Sequence, residues 1–191
     1  MKRRSVLTLL GSLSLLACSH TPVTFTGIDI TGANYANDFH LRGHDGKDYS
    51  LASFKGKHLL IFFGFTQCPD ICPTALSRAV QIRKLLGDKA EQLQVIFITI
   101  DPERDTPELL AQYMKAFDPS FLGLYGDMKE TQEVAAAFKV FYQKVPSGSS
   151  YTMDHTAISY VFDDKGKIRL ALKHEQTAEQ CAADLRTLMT A

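Results

Sequence analysis

Two long apolar runs dominate the hydrophobic pattern of the chain, at residues 59–65 and 93–100. Nearly continuous apolar runs of this length are typical of β-strands buried on both faces of a parallel sheet. Between them, apolar residues recur at helical spacing from the region of Cys68 to Gly87, a residue suited to a helix C-terminus. Strand, helix and strand in this order predict a right-handed crossover between parallel strands.

The rest of the pattern surrounds this unit with hairpins and helices. Turn residues between alternating apolar positions predict one β-hairpin at residues 39–51 and another at 157–172. A short strand is predicted at 121–125, and the pattern is interrupted at 146–150. Three further helices are predicted after residues that can cap a helix N-terminus, namely Thr106, Asp127 and Thr177. The order of elements predicts an α/β, thioredoxin-like fold: a mixed sheet with helices on both faces and an N-terminal β-hairpin.

The first residues have the pattern of an export signal. A basic segment precedes an apolar stretch at residues 5–16 that is too short to span a bilayer comfortably. The stretch ends in Leu-Leu-Ala-Cys, which resembles a bacterial lipobox in which Cys18 is lipidated and becomes the mature N-terminus. We expect a lipoprotein signal peptide at 1–18, a flexible tether at 19–37 and one folded domain at 38–191. An ordinary signal peptide or an uncleaved anchor with an incidental cysteine is the alternative.

Size, charge and compartment narrow the possible functions. A chain of 191 residues has enough apolar material for one well-buried core and is short for two domains. The 21 basic residues equal the 21 acidic ones, so no basic excess attracts nucleic acid, and we expect no such partner. A lipid anchor would place the domain in the bacterial cell envelope, facing the periplasm, where thiols form disulfides unless they are reduced or occupied.

The strongest chemical signal is the segment Cys-Pro-Asp-Ile-Cys at Cys68 to Cys72. It follows a buried strand and opens a helix, where backbone N–H groups and the helix dipole favour thiolates. Four residues apart on a helix, the two side chains would share one face with Cβ atoms roughly 5–6 Å apart. The pair could bind one metal ion or close a disulfide. Thioredoxin-type oxidoreductases have two intervening residues and this chain has three, a wider spacing that favours a metal.

A third candidate ligand, His155, lies shortly before the strand predicted at 158–162. Thioredoxin-like oxidoreductases usually carry a cis-proline at the entry to this strand, close to the dithiol, whereas here His155 stands about where the chain passes the cysteines. Two thiolates and one imidazole suit Cu(I) in trigonal geometry and, with an added oxygen ligand, Cu(II). Zinc would require a fourth ligand. The sequence therefore predicts a copper site.

Three motifs together resemble the Sco/SenC family: Phe-Phe-Gly-Phe-Thr-Gln-Cys-Pro-Asp-Ile-Cys-Pro at 62–73, Ile-Thr-Ile-Asp-Pro-Glu-Arg-Asp-Thr at 98–106 and Asp-His-Thr at 154–156. A departure is Gln67, where many relatives are expected to have histidine. The resemblance implies copper bound by Cys68, Cys72 and His155, in a metallochaperone for the binuclear copper centre of cytochrome c oxidase. It further implies a redox-active dithiol that forms a reversible disulfide. The implied partner is the copper-site subunit of the oxidase, with a periplasmic copper donor or thiol reductant as further candidates.

Other functions remain open at this point. A thiol-disulfide reductase would keep the oxidase cysteines reduced, with Cys68 attacking and Cys72 resolving, and would not need His155. A redox or copper sensor without a transfer partner has the same site. A peroxidase is disfavoured because the chain lacks the Pro-x-x-x-Thr-x-x-Cys pattern. The pair could also be a local structural disulfide, although a loop this short constrains little of the unfolded chain.

Several other polar residues are assigned structural roles. Asp101 and Asp105 follow a parallel strand. We expect them to cap a helix, and a contact with a partner or with the metal ligands is the less favoured role. Asp154 is expected to point away from the site, and Cys181 is expected to act as a small core residue. Four histidines without a companion ligand nearby are expected to be solvated: His40, His44, His58 and His174.

Overall fold

The structure is a computed structural model, and it describes residues 24–190. The predicted signal peptide, Cys18 and the first part of the predicted tether lie outside the described residues. The described chain contains four α-helices, and their bounds are α1 Ile71–Leu86, α2 Pro107–Phe117, α3 Met128–Ala137 and α4 Ala178–Leu188. It contains ten strands, which are β1 Ile28–Asp29, β2 Leu41–Gly43, β3 Asp48–Tyr49, β4 His58–Gly64, β5 Leu93–Thr99, β6 Leu122–Tyr125, β7 Tyr142–Ser147, β8 Ser150–His155, β9 Ser159–Phe162 and β10 Ile168–Leu172. Short 3-10 helices are present at Leu51–Phe54 and Gly87–Gln92.

Eight of the strands form one mixed sheet in the order β1-β10-β9-β4-β5-β6-β2-β3. Strands β4, β5 and β6 are parallel, and the flanking pairs are antiparallel. Helix α1 packs against α4, and α2 packs against β6. The predicted α/β, thioredoxin-like fold with a mixed sheet is confirmed, as are both predicted hairpins, β2–β3 and β9–β10.

The core is centred on the two strands that the apolar runs predicted. Every residue of β4 is buried, and β5 is buried at all but one position. Leu59, Ile61 and Phe97 are at most 1% exposed. Since each fully buried aliphatic or aromatic side chain contributes about 1.5–3 kcal/mol, this central pair fixes the sheet from which the functional loops extend.

The folded domain begins earlier than predicted. Strand β1 pairs with β10, so it lies on the edge of the main sheet. The backbone N–H groups of Thr26 and Gly27 each donate to the Asp184 carboxylate of α4 at 2.8 Å, and Ala36 is 2% exposed. The prediction of a flexible tether is therefore wrong for residues 24–37. Main-chain hydrogen bonds hold this segment. Because such bonds do not depend on side-chain identity, they produce no hydrophobic periodicity that could be read in the sequence.

A third hairpin, β7–β8, was not predicted. It forms a separate two-stranded sheet in which Tyr142 is paired with His155 and Ser147 with Ser150. Most of its residues are exposed, so the alternating pattern that marks a half-buried strand is missing. Within residues 24–190, none of the helices combines the length and apolar character needed to cross a bilayer.

Candidate metal centre

The two cysteines lie where the chain leaves β4 and enters α1. Cys72 is in the first turn of the helix and is fully buried, whereas Cys68 lies in the preceding turn and is partly exposed. The expectation that both lie on one face of a helix is therefore wrong, because α1 begins only at Ile71. The turn still brings the thiols together, and the Cys72 N–H donates to the Cys68 Sγ at 3.4 Å.

The buried thiol depends on a glycine in the central strand. A Cβ atom added at Gly64 would lie 2.6 Å from the Cys72 Sγ and 2.9 Å from Cε2 of Phe97. Any side chain at this position would therefore push the sulfur out of its place. Sequence reasoning did not single out Gly64. The available signal was a glycine in an otherwise apolar strand, which often marks a close approach by another group.

His155 faces the cysteines from the end of β8. Its Nε2 is 3.8 Å from the Cys72 Sγ, and the two sulfur atoms and an imidazole nitrogen of the group lie within 4.8 Å of one another. The Nδ1–H donates to the Thr156 carbonyl oxygen at 3.1 Å, which leaves the Nε2 lone pair directed at the thiols in the neutral ring. The rings of Phe62 and Phe65 meet the imidazole in T-shaped contacts, each with a centroid distance of 6.0 Å.

The two thiols have opposite proton affinities. A hydrogen bond from the Cys72 thiol lowers the pKa of Cys68 far below the ordinary value for cysteine. The same hydrogen bond, together with burial, raises the pKa of Cys72. Cys68 is therefore a thiolate near neutral pH, and Cys72 carries the shared proton. A metal ion that binds both sulfurs would release this proton.

The donor set fits copper. Two soft sulfur ligands and one imidazole nitrogen complete the three-coordinate site that Cu(I) prefers, and zinc would lack a ligand. A cavity of about 220 Å³ reaches the site and is lined by Cys68 and His155, among other residues. The predicted candidates Cys68, Cys72 and His155 are therefore brought together, with an access route for a small ion. Their role as ligands stays a prediction.

The two aspartates after β5 do not cap helices, so that expectation is wrong. The N-cap of α2 is Thr106. The Asp105 carboxylate accepts hydrogen bonds from the Thr66 N–H at 3.0 Å and from the hydroxyls of Thr66 and Thr99, both at 2.6 Å. It thereby anchors the chain two residues before Cys68. Asp101 accepts a hydrogen bond from the Tyr151 hydroxyl at 2.8 Å, on the hairpin that carries His155.

The remaining assignments are supported in part, since His44, which was expected to be solvated, is half-buried and accepts a hydrogen bond from the Gly123 N–H at 3.0 Å. Asp154 is exposed, as expected for a side chain on the outer face of β8. Cys181 is fully buried, and burial raises its pKa to about 11, as befits a core residue. The expectation of a solvated His58 is wrong, because this residue is 7% exposed at the start of β4. His58 lies at the end of the strand opposite to the cysteines.

The fold and the donor set define a class: a thioredoxin-like protein with a Cys-Cys-His group that could hold a metal ion. The family model described as SCO1/SenC matches residues 29–190, and the chain belongs to this family. The SCO2-like protein RC0895 of Rickettsia conorii is 38% identical over 177 residues, which cover 89% of this chain and 85% of the relative.

Solved structures agree with this membership. Bradyrhizobium japonicum ScoI with copper bound is 41% identical with a TM-score of 0.73, covering 79% of this chain and 97% of that one. BsSco is 27% identical with a TM-score of 0.65, covering 85% and 98%. BsSco is described as a member of the Sco family of cytochrome c oxidase assembly proteins, with a disulfide switch.

Proposed function

We propose that this protein binds one copper ion through Cys68, Cys72 and His155 and delivers it to the binuclear copper centre of cytochrome c oxidase. The observation that carries the proposal is the convergence of two thiols from the turn into α1 and one imidazole from β8 within 4.8 Å. Copper-bound ScoI, which is 41% identical, supports the choice of metal. The oxidase partner is supported by the description of BsSco as a member of a family of oxidase assembly proteins.

The site is arranged to take up copper and to release it again. The Cys68 thiolate is partly exposed and would meet an incoming ion first. Binding by the buried Cys72 requires loss of its proton, so this step is harder at low pH. His155 sits on a hairpin outside the main sheet and contributes one neutral ligand. An acceptor whose thiolates replace these ligands one at a time would remove the ion without a free copper intermediate.

Copper binding is tested by competition with a Cu(I) chelator. The reduced protein should bind one copper ion tightly, and Cys68→Ser, Cys72→Ser and His155→Ala should each weaken binding by at least tenfold. His174→Ala is the matched control, because His174 lies outside the Cys-Cys-His group. Affinity of the three variants equal to wild type would contradict the proposed site.

The alternative function is a thiol-disulfide reductase that keeps the oxidase cysteines reduced. The observation that favours it is the pairing of a Cys68 thiolate with a protonated Cys72. The Cys68 thiolate would attack a disulfide sulfur of the partner and release one partner thiolate. Cys72, after losing its proton, would then attack the mixed disulfide. The products are a Cys68–Cys72 disulfide and two reduced partner cysteines, which balances the two electrons.

One variant separates the two functions, because reduction does not need the imidazole. With the soluble copper-site domain of the oxidase as acceptor, the chaperone function predicts that His155→Ala abolishes efficient copper transfer from the loaded protein. The reductase function predicts that the same variant, without copper, still reduces the oxidised acceptor at the wild-type rate. Measured together, these rates show which reaction this protein performs; a protein that does neither contradicts both functions.

The proposed location is the bacterial cell envelope, with the domain held on the membrane by lipidated Cys18 and facing the periplasm. The proposal rests on the lipobox-like sequence before this cysteine. Mass spectrometry of the N-terminal peptide of the mature protein should show acyl chains on Cys18. Cys18→Ser should remove the lipid and release the domain from the membrane fraction; an unmodified Cys18 would contradict the proposal.

A further inference from the structure

The hairpin that carries His155 is held outside the main sheet. Among the described residues, β7 and β8 pair only with each other, and the other eight strands form a separate sheet. His155 is the last residue of β8. Backbone pairing with the central strands therefore does not reach the hairpin, and it resumes only at Ser159 of β9, four residues after His155. Side-chain contacts hold the hairpin in place, and one of them is made by Met153 of β8, which is 6% exposed.

Arg104, in the loop after β5, makes several further contacts with the hairpin. Its Nη1 donates to the Tyr151 carbonyl oxygen of β8 at 2.8 Å, and its guanidinium stacks on the Tyr151 ring at 3.7 Å from the centroid. Its Nε donates to Asp101, whose other carboxylate oxygen accepts the Tyr151 hydroxyl at 2.8 Å. Nη1 also reaches the side chain of Gln67, next to Cys68, at 3.2 Å. Arg104 thus joins both halves of the metal site.

We propose that Arg104 is a positioning residue that holds His155 at the copper site by clamping β8 against the loop after β5. Tyr151 and His155 lie four residues apart on β8, and alternation along a strand places their side chains on the same face. A clamp at Tyr151 therefore restrains the distance between the His155 imidazole and the two thiols. The inference rests on the proposed copper function.

The geometry of the clamp explains why this position is an arginine. The side chain of Arg104 is 15% exposed and that of its partner Asp101 is fully buried, so the ion pair is largely removed from water. A planar guanidinium can stack on a ring and donate sideways to a carbonyl and a carboxylate at the same time, whereas a lysine ammonium cannot. A second ion pair between the hairpin and this loop, Lys144–Glu103, is more exposed and therefore contributes less to holding the hairpin in place.

A double-mutant cycle tests the clamp. Because residues that orient metal ligands typically contribute about 10- to 100-fold to metal affinity, Arg104→Met should weaken Cu(I) binding by about that factor. If Arg104 acts through His155, the same substitution should have no further effect in a His155→Ala background. Arg83→Met is the matched control, since its side chain is 12% exposed and also bonds backbone carbonyls, at Ala90 and Leu93.

Each outcome of the cycle bears on the clamp. Loss of affinity in the wild-type background alone supports it; equal losses in both backgrounds, or none in either, overturn it. Tyr151→Leu removes the clamp from the hairpin side and serves if Arg104→Met does not fold. If His155→Ala binds copper as tightly as wild type, the proposed function fails before the clamp is reached, so the two failures are distinguishable.

A readout without copper tests the same inference on the metal-free protein. Amide hydrogen exchange should become faster across β8 in Arg104→Met, because the hairpin loses its attachment. Arg83→Met should leave exchange in β8 unchanged. Equal protection of β8 in Arg104→Met and wild type would overturn the positioning role, whatever the copper affinities are.

Discussion

Replacing Gly64 with alanine would place one methyl group directly beneath the buried thiol of the metal site. The added Cβ would lie 2.6 Å from the Cys72 Sγ. Non-bonded heavy atoms prefer separations of about 3.5–4 Å, so the sulfur would have to retreat by about 1 Å. The opposite side of the methyl group meets Phe97 at 2.9 Å and Phe62 at 3.0 Å, so the strand itself has no room to absorb the change.

The size of the effect follows from this geometry. Overpacking a close-packed core typically costs about 1–3 kcal/mol. In the metal-free protein the Cys72 side chain can relieve part of this strain by turning away. Copper binding requires the sulfur to return, so the part of the strain that was relieved reappears in the binding free energy. Relief of about 1–3 kcal/mol corresponds to a loss of about 5- to 150-fold in Cu(I) affinity.

The assay is Cu(I) competition combined with urea unfolding of the metal-free protein. Gly123→Ala in β6 is the matched control, because its Cβ would also be crowded, at 3.2 Å from the Met114 Cγ, but away from the cysteines. Gly64→Ala should be less stable than wild type, and of the two variants only Gly64→Ala should lose copper affinity. A Gly64→Ala protein that binds copper within twofold of wild type would refute the packing argument.

Two further predictions concern proton affinity and anchoring at the site. The pKa of Cys68 is lowered and the pKa values of Cys72 and Cys181 are raised. Iodoacetamide at pH 6 should therefore modify Cys68 well before Cys72 and Cys181 in the reduced protein, as measured by peptide mass spectrometry, and equal rates at these three cysteines would contradict the assigned thiolate. Asp105→Ala should lower the free energy of unfolding by about 1–3 kcal/mol, because the Thr66 N–H and the hydroxyls of Thr66 and Thr99 lose their acceptor. Urea unfolding with unchanged stability would contradict that role.

The elements that sequence predicted correctly are those whose causes are local. The apolar runs that became β4 and β5 are buried on both faces, as such runs require. Thr177 caps α4 and forms a capping box with Gln180, an interaction that spans three residues and can be recognised from their identities. The metal ligands could be proposed because two cysteines four residues apart at the start of a helix have few functions other than metal binding and disulfide formation.

The elements that sequence missed depend on contacts between distant polar groups. The Gly27 N–H reaches Asp184 across 157 positions, which turns a predicted tether into part of the fold. The β7–β8 hairpin buries few of its side chains and shows no alternating pattern. Arg104 and Asp105 share a motif with a capping threonine, and only the folded chain shows that they contact Tyr151 and Thr66. Long-range hydrogen bonds of this kind have no periodic signature.

Copper K-edge X-ray absorption of the Cu(I)-loaded protein is the direct test of the three-ligand copper site, because it counts the atoms around the metal. We expect two sulfur neighbours and one nitrogen neighbour in wild type, and loss of the nitrogen in His155→Ala. The His174→Ala control should keep the wild-type spectrum. A wild-type spectrum without a nitrogen neighbour, or one that His155→Ala leaves unchanged, would contradict the three-ligand site.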